Sequence, residues 1–215
     1  MDKKNVNHVF SWFEQTNPSP KTELEFSSAF ECLIAVMLSA QTTDIQVNKV
    51  TRKLYELANT PEAMLELGEQ KIIEQIRHIG LFRNKAKNVL GISQMLISEY
   101  DSQVPKDLDS LQKLPGVGRK TALVVMSAVF GESTIAVDTH VHRVSHRIGL
   151  VKNCKSPLKT EQKLLKTIPK KYLFYAHHWL ILHGRYICKA RKPECENCGI
   201  KELCVYYNST YTKQR

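Results

Sequence analysis

Four cysteines crowd into seventeen residues near the carboxyl end of this 215-residue chain: Cys188, Cys195, Cys198 and Cys204, spaced C-x6-C-x2-C-x5-C. Four thiolates that close in sequence can complete a shell around a metal. Spacing alone leaves zinc and iron-sulfur both open, because zinc ribbons usually pair two C-x2-C knuckles and this segment has one, flanked by longer loops. Lys189, Arg191 and Lys192 are interleaved with the cysteines, so the loop a metal would order is basic. Cys32 and Cys154 stand apart. In a reducing compartment such crowding reads as a metal site rather than a disulfide framework.

A second group with chemical potential is Leu114-Pro115-Gly116-Val117-Gly118-Arg119-Lys120. Gly116 and Gly118, lacking Cβ atoms, can take positive φ and let a phosphate approach the backbone N–H groups at the start of the next helix. The helix dipole adds partial positive charge there, and Arg119 and Lys120 add full charges. The device grips phosphate without reading bases. The plainer alternative is a helix-helix turn with a solvated basic first turn, although basic residues have the wrong sign for that end of a helix. A third feature is Asp138, an acid in a stretch that otherwise carries His140, His142, Arg143, His146 and Arg147. By residue type alone, Asp138 is the N-cap of the following helix.

Helical periodicity runs through almost the whole chain, with no sustained apolar/polar alternation between hairpin turns. The expected fold class is all-α. Residues 27–40 are apolar nearly all round, which suits a central buried helix. An amphipathic helix follows, with Val47, Val50, Leu54 and Leu57 on one stripe. Thr60-Pro61-Glu62 is a helix start by capping chemistry. Further helices are expected over 70–78, 83–100, 108–114, 119–130, 138–148, 158–168 and 172–184. Ile79-Gly80-Leu81-Phe82 is a short turn followed by basic residues, a fainter echo of the first hairpin. No linker is long or low in complexity.

A formal net charge of +10 favours a polyanionic partner. The amino-terminal residues lack the apolar run and cleavage site of a secretory signal, and no stretch approaches the length of a membrane span. A cytoplasmic protein, nucleoid-associated in a prokaryote, is expected.

Residues 114–120 resemble the helix-hairpin-helix motif of the endonuclease III superfamily of DNA glycosylases. The resemblance extends from about Phe30 to Cys204 with the motifs in the family's order; Leu123 and His142 are modest departures. It implies a two-lobed fold with 22–132 as a six-helix domain carrying the hairpin. Residues 1–21 and 133–215 form a discontinuous iron-sulfur domain, with the active site in the cleft between the two. It implies Lys120 as the amine that attacks the sugar C1′ of a damaged nucleotide, giving glycosylase and lyase chemistry through one Schiff base. Asp138, in Val137-Asp138-Thr139-His140, is implied as the carboxylate that stabilises the sugar and helps activate the lysine. The four cysteines are implied as ligands of a [4Fe-4S] cluster that orders the basic loop.

A base taken out of the stack leaves a hole to be filled. The resemblance places Gln41 as the inserting residue, Leu81 as an apolar wedge and Asp44 at the damaged-base pocket. Without it these would read as an exposed Gln at a helix end, a core Leu and another N-cap. Gly116, Val117, Gly118, Arg119, His140, Lys189, Arg191 and Lys192 complete the implied DNA contacts. The implied partner is double-stranded DNA containing damaged pyrimidines or abasic sites, met by a monomer with no membrane association. Two alternatives are weighed. An adenine-mismatch glycosylase shares fold and cluster but lacks the hairpin lysine and carries a further carboxyl-terminal domain, and a non-catalytic helix-hairpin-helix protein would hold structural zinc.

Overall fold

The structure is a computed structural model, and it describes residues 1–211; the last four positions of the expected 133–215 segment lie outside them. Among the described residues there are ten α-helices and no strand. They are α1 (Lys3–Thr16), α2 (Ala29–Leu38), α3 (Asp44–Leu57), α4 (Pro61–Ile76), α5 (Phe82–Glu99), α6 (Leu108–Lys113), α7 (Arg119–Phe130), α8 (Thr139–Ile148), α9 (Pro157–Thr167) and α10 (Lys170–Tyr186). Short helical turns follow at Cys195–Asn197, Lys201–Leu203 and Tyr207–Tyr211. The chain divides into two compact units, Thr22–Glu132 and the combination of Met1–Lys21 with Ser133–Arg215.

In the first unit α2 is the axis, as its all-round apolar sequence requires, and every residue from Phe30 to Leu38 is buried. Its start is fixed by a reciprocal cap. Ser28 accepts from the Glu31 N–H, while the buried Glu31 carboxylate accepts from the Ser27 N–H at 2.5 Å and the Ser27 hydroxyl at 2.7 Å. Helices α3, α5 and α7 pack around it. Truncating Leu33 or Leu38, both fully buried, to Ala would cost about 2–5 kcal/mol. Gly68 takes φ 78 and ψ 162 inside α4, breaking it at the point where the sequence reading starts a fresh helix at Gln70.

The second unit is closed by a helix that the periodicity reading did not single out. Helix α1 buries Val6, Val9, Phe10 and Phe13, and Phe10 stacks on Tyr172 and Phe13 on Trp179 of α10. The Trp179 indole donates to the Asn17 carbonyl at 2.8 Å. Gly184 lets α8 and α10 approach closely, since a Cβ there would lie 2.9 Å from the His140 Cβ.

Candidate functional site

Two helices meet in the hairpin because the turn between them is anchored on apolar side chains. Leu114 and Val117 are buried, and the Val117 N–H donates to the Leu114 carbonyl at 3.1 Å. Gly116 has φ 74, and a Cβ there would meet the Asn88 amide nitrogen at 2.3 Å, so glycine is required twice over. Gly118 departs from the positive φ that the paired glycines suggested: it is extended at φ −84, as the N-cap of α7, and a Cβ would meet nothing within 4 Å. Its contribution is different. With no side chain it cannot cap, and no acid occupies the first turn, so neither a cap nor a carboxylate of the turn itself competes with an external acceptor at the start of α7. Arg119 and Lys120 are exposed in that turn. Val117 can offer only its backbone, its side chain being in the core.

Helix α8 opens the other way. Asp138 is its N-cap, with one carboxylate oxygen accepting from the Val141 N–H at 2.8 Å and the other lying 3.2 Å from His140 Nδ1. The Asp138 side chain is only 13% exposed. The carboxylate is therefore fixed by its own helix and by a histidine two residues on.

Gln41 and Leu81 share an unusual backbone. Both have left-handed φ, 56 and 60, and both are exposed, Leu81 by 58%. An exposed leucine in that conformation is no core residue, and it carries backbone strain that only its surroundings can hold. Their loops are neighbours, since a Cβ on Gly80 would lie 4.0 Å from the Gln41 carbonyl. Asp44 is half-buried in the first turn of α3, where the cap itself is Thr43.

The four cysteines line one pocket, with Ile148, His183, Ile187 and Ile200 among its walls. Among the described residues no three His, Cys, Asp or Glu side chains converge on a point that one ion could fill. Four thiols on one pocket are a donor set that fits a thiolate-bound metal or iron-sulfur group. Burial pushes the Cys198 thiol up to about 11 and raises those of Cys195 and Cys204. Desolvated thiols of this kind gain from a cation that takes them as thiolates.

Two α8 arginines hold the cysteine loop, a role that sequence reading missed although their i, i+4 spacing was its visible signal. Arg143 donates to the carbonyls of Gly184 at 2.8 Å and Cys188 at 3.1 Å. Arg147 donates to those of Lys189 at 2.7 Å and Ala190 at 3.0 Å, and its guanidinium lies over the Tyr206 ring. Of the three basic loop residues, Lys189 is paired with Glu194, while Arg191 and Lys192 stand exposed.

The family profile described as HhH-GPD superfamily base excision DNA repair protein matches residues 34–170. A second profile, the iron-sulfur binding domain of endonuclease III, matches residues 188–204. The endonuclease III of Rickettsia felis is 56% identical over 209 residues, 97% of this chain and 98% of that protein. The chain belongs to the endonuclease III family. The Escherichia coli K12 endonuclease III is 50% identical, with 96% of this chain and 97% of that one aligned. A solved structure of a trapped endonuclease III-DNA covalent intermediate superposes with a TM-score of 0.91 at 44% identity, covering all of both chains. As a member of this family, the protein is a base excision repair glycosylase with abasic-site lyase activity and carries a [4Fe-4S] cluster. Structural zinc, open on spacing alone, is thereby replaced. Among the described residues no helix is long and apolar enough to cross a membrane.

Proposed function

We propose that Lys120 is the nucleophile, and Asp138 its carboxylate partner, in excising damaged pyrimidines from double-stranded DNA and nicking the strand afterwards. The neutral Lys120 amine attacks C1′; the N–C1′ bond forms as the C1′–base bond breaks, and the base leaves with the bonding pair and is protonated. The surplus proton on the amine passes to Asp138, directly or through water, and the same carboxylate offsets positive charge gathering on the sugar. Ring opening gives an imine, which acidifies the C2′ proton. Loss of that proton expels the 3′ phosphate with the C3′–O pair, and water hydrolyses the imine to return Lys120.

The observation that carries this reading is the exposed amine of Lys120 in the uncapped, acid-free first turn of α7, where a phosphate-gripping turn would present it to the backbone. The relative trapped as a covalent intermediate with DNA supports it. A lysine here also disfavours the adenine-mismatch reading, which dispenses with it. Gln41 and Leu81 are proposed to fill the space the extruded base leaves, with Asp44 beside the base. The thiolates of Cys188, Cys195, Cys198 and Cys204 would hold the cluster. When bound it supplies a structural cross-link rather than reaction chemistry, leaving Arg191, Lys192 and part of the Lys189 charge to meet phosphates. The expected setting is chromosomal DNA in the cytoplasm, with a single chain acting on each lesion.

Borohydride reduction in the presence of a duplex with one thymine glycol tests the reading. Wild type is expected to give a covalent protein-DNA adduct, and Lys120→Ala none, with strand cleavage down on the order of a thousandfold or more. An adduct that survives the substitution would move the nucleophile elsewhere.

A further inference from the structure

Lys85 is a lysine where lysines rarely lie: only 4% exposed, on the inner face of α5. Its ammonium donates to the Ala40 carbonyl at 2.8 Å and the Thr42 hydroxyl at 3.0 Å, the two residues that bracket Gln41. Its backbone N–H donates to the Leu81 carbonyl at 3.0 Å, closing the first turn of α5 behind the left-handed Leu81. One residue is thus bonded to both loops. Among the described residues no carboxylate pairs with it; a loop carbonyl just past the end of α2, which closes at Leu38 with Ser39 as its cap, and a hydroxyl receive the cation. Desolvation lowers the Lys85 pKa from the ordinary lysine range.

A buried ammonium with no acid beside it is a costly way to hold one loop carbonyl and one hydroxyl. The geometry of the two loops supplies a reason for it. Left-handed residues other than glycine persist only where the surroundings over-determine them, and Gln41 and Leu81 are the two such residues in this part of the fold. A flexible loop carrying either would lose the fixed reach needed to enter a duplex at the moment a base leaves it.

We infer that Lys85 is a positioning residue for base extrusion, clamping the Gln41 loop against the Leu81 turn so that the two exposed side chains enter the helix as one unit. This rests on the proposed insertion roles of Gln41 and Leu81. It assigns Lys85 no contact with DNA and no part in bond breaking.

The test compares Lys85→Met, Thr42→Val, Gln41→Ala and Leu81→Ala in the cluster-loaded protein. Two rates are read on duplexes with one thymine glycol: single-turnover excision, and the fluorescence rise of a 2-aminopurine stacked beside the lesion. With the lesion paired to adenine, Lys85→Met is expected to slow both on the order of tenfold or more, and Thr42→Val by roughly threefold, as loosened positioning does. With the lesion opposite an abasic gap, where little must be displaced, both variants should return to within about twofold of wild type. The Lys85→Met/Gln41→Ala double variant should lose little more than the worse single, because the two act through one device.

If Gln41→Ala and Leu81→Ala slow extrusion while Lys85→Met and Thr42→Val match wild type, the positioning role is overturned. It is equally overturned if Lys85→Met is as slow on the gapped duplex as on the paired one, which marks a merely structural residue. If Gln41→Ala and Leu81→Ala both leave extrusion unchanged, the insertion reading itself fails and takes the inference with it.

Discussion

Helices α7 and α8 follow one another in the chain and begin in opposite ways. Helix α8 starts on Asp138, whose carboxylate takes the Val141 N–H and sits beside His140. Helix α7 starts on Gly118, with no side-chain cap and cations in place of acids in its first turn. Seven of the ten helices start as α8 does, on Asp2, Ser28, Thr43, Thr60, Asp107, Asp138 or Ser156. The exceptions are α5, α7 and α10. Two of these, at Leu81 and Gly118, fall where the chain is proposed to meet DNA, whereas α10 follows Pro169 and has no such role. A missing cap alone therefore does not mark a site. Nor does an exposed lysine, since α10 also opens on exposed Lys170 and Lys171 with no acid in its first turn. What sets the first two apart is the backbone ahead of them: Gly116 at φ 74 in a turn anchored on buried Leu114 and Val117, and the exposed left-handed Leu81.

The comparison breaks most sharply at Asp138. Asn caps a helix about as well as Asp, so Asp138→Asn should leave the melting temperature near wild type. Base release should nevertheless slow by about 10²-fold or more, the usual worth of a lost proton acceptor, with DNA affinity nearly intact. Single-turnover glycosylase rates beside a thermal melt read both. A variant as fast as wild type would reduce Asp138 to its cap.

At the hairpin, Gly116→Ala forces a Cβ onto a residue at φ 74 and toward Asn88, a cost of about 1–3 kcal/mol. Undamaged-duplex affinity should fall roughly tenfold as the turn deforms. Denaturant unfolding and anisotropy titrations would check the two effects.

The smallest effect is the most discriminating between the two kinds of helix start. Gly118→Ser gives α7 the cap it lacks, so stability should rise by about a few tenths of a kcal/mol while duplex affinity drops about threefold, the serine competing for N–H groups meant for phosphate. Affinity that rises with stability would show that those N–H groups bind nothing.

Much of this was legible before any coordinates. Periodicity located α5 and α7 because apolar residues recur on one face, α2 showed as a run apolar nearly all round, and Thr60-Pro61-Glu62 announced α4 through its capping chemistry. The cysteine spacing announced a metal, and the family resemblance its identity. What stayed hidden depends on contacts distant in sequence. Helix α1 reads as an unremarkable amphipathic start until Phe10 and Phe13 meet Tyr172 and Trp179 more than 150 residues later. Lys85 looks like any surface lysine of α5 until Ala40 and Thr42 close over it. Gly118 shows no positive φ because an N-cap is extended, so its use lies in the side chain it lacks. The arginines Arg143 and Arg147 disclose their partners only when the loop after α10 folds back onto α8.

The central claim, that the uncapped start of α7 presents the attacking amine, is tested most directly by mapping the bond itself. Wild-type protein is trapped with borohydride on a thymine-glycol duplex, digested with nuclease and protease, and sequenced by mass spectrometry. The account predicts the reduced sugar remnant on Lys120 alone. The remnant on Lys113, Lys85 or the amino terminus, with Lys120 unmodified, would contradict it.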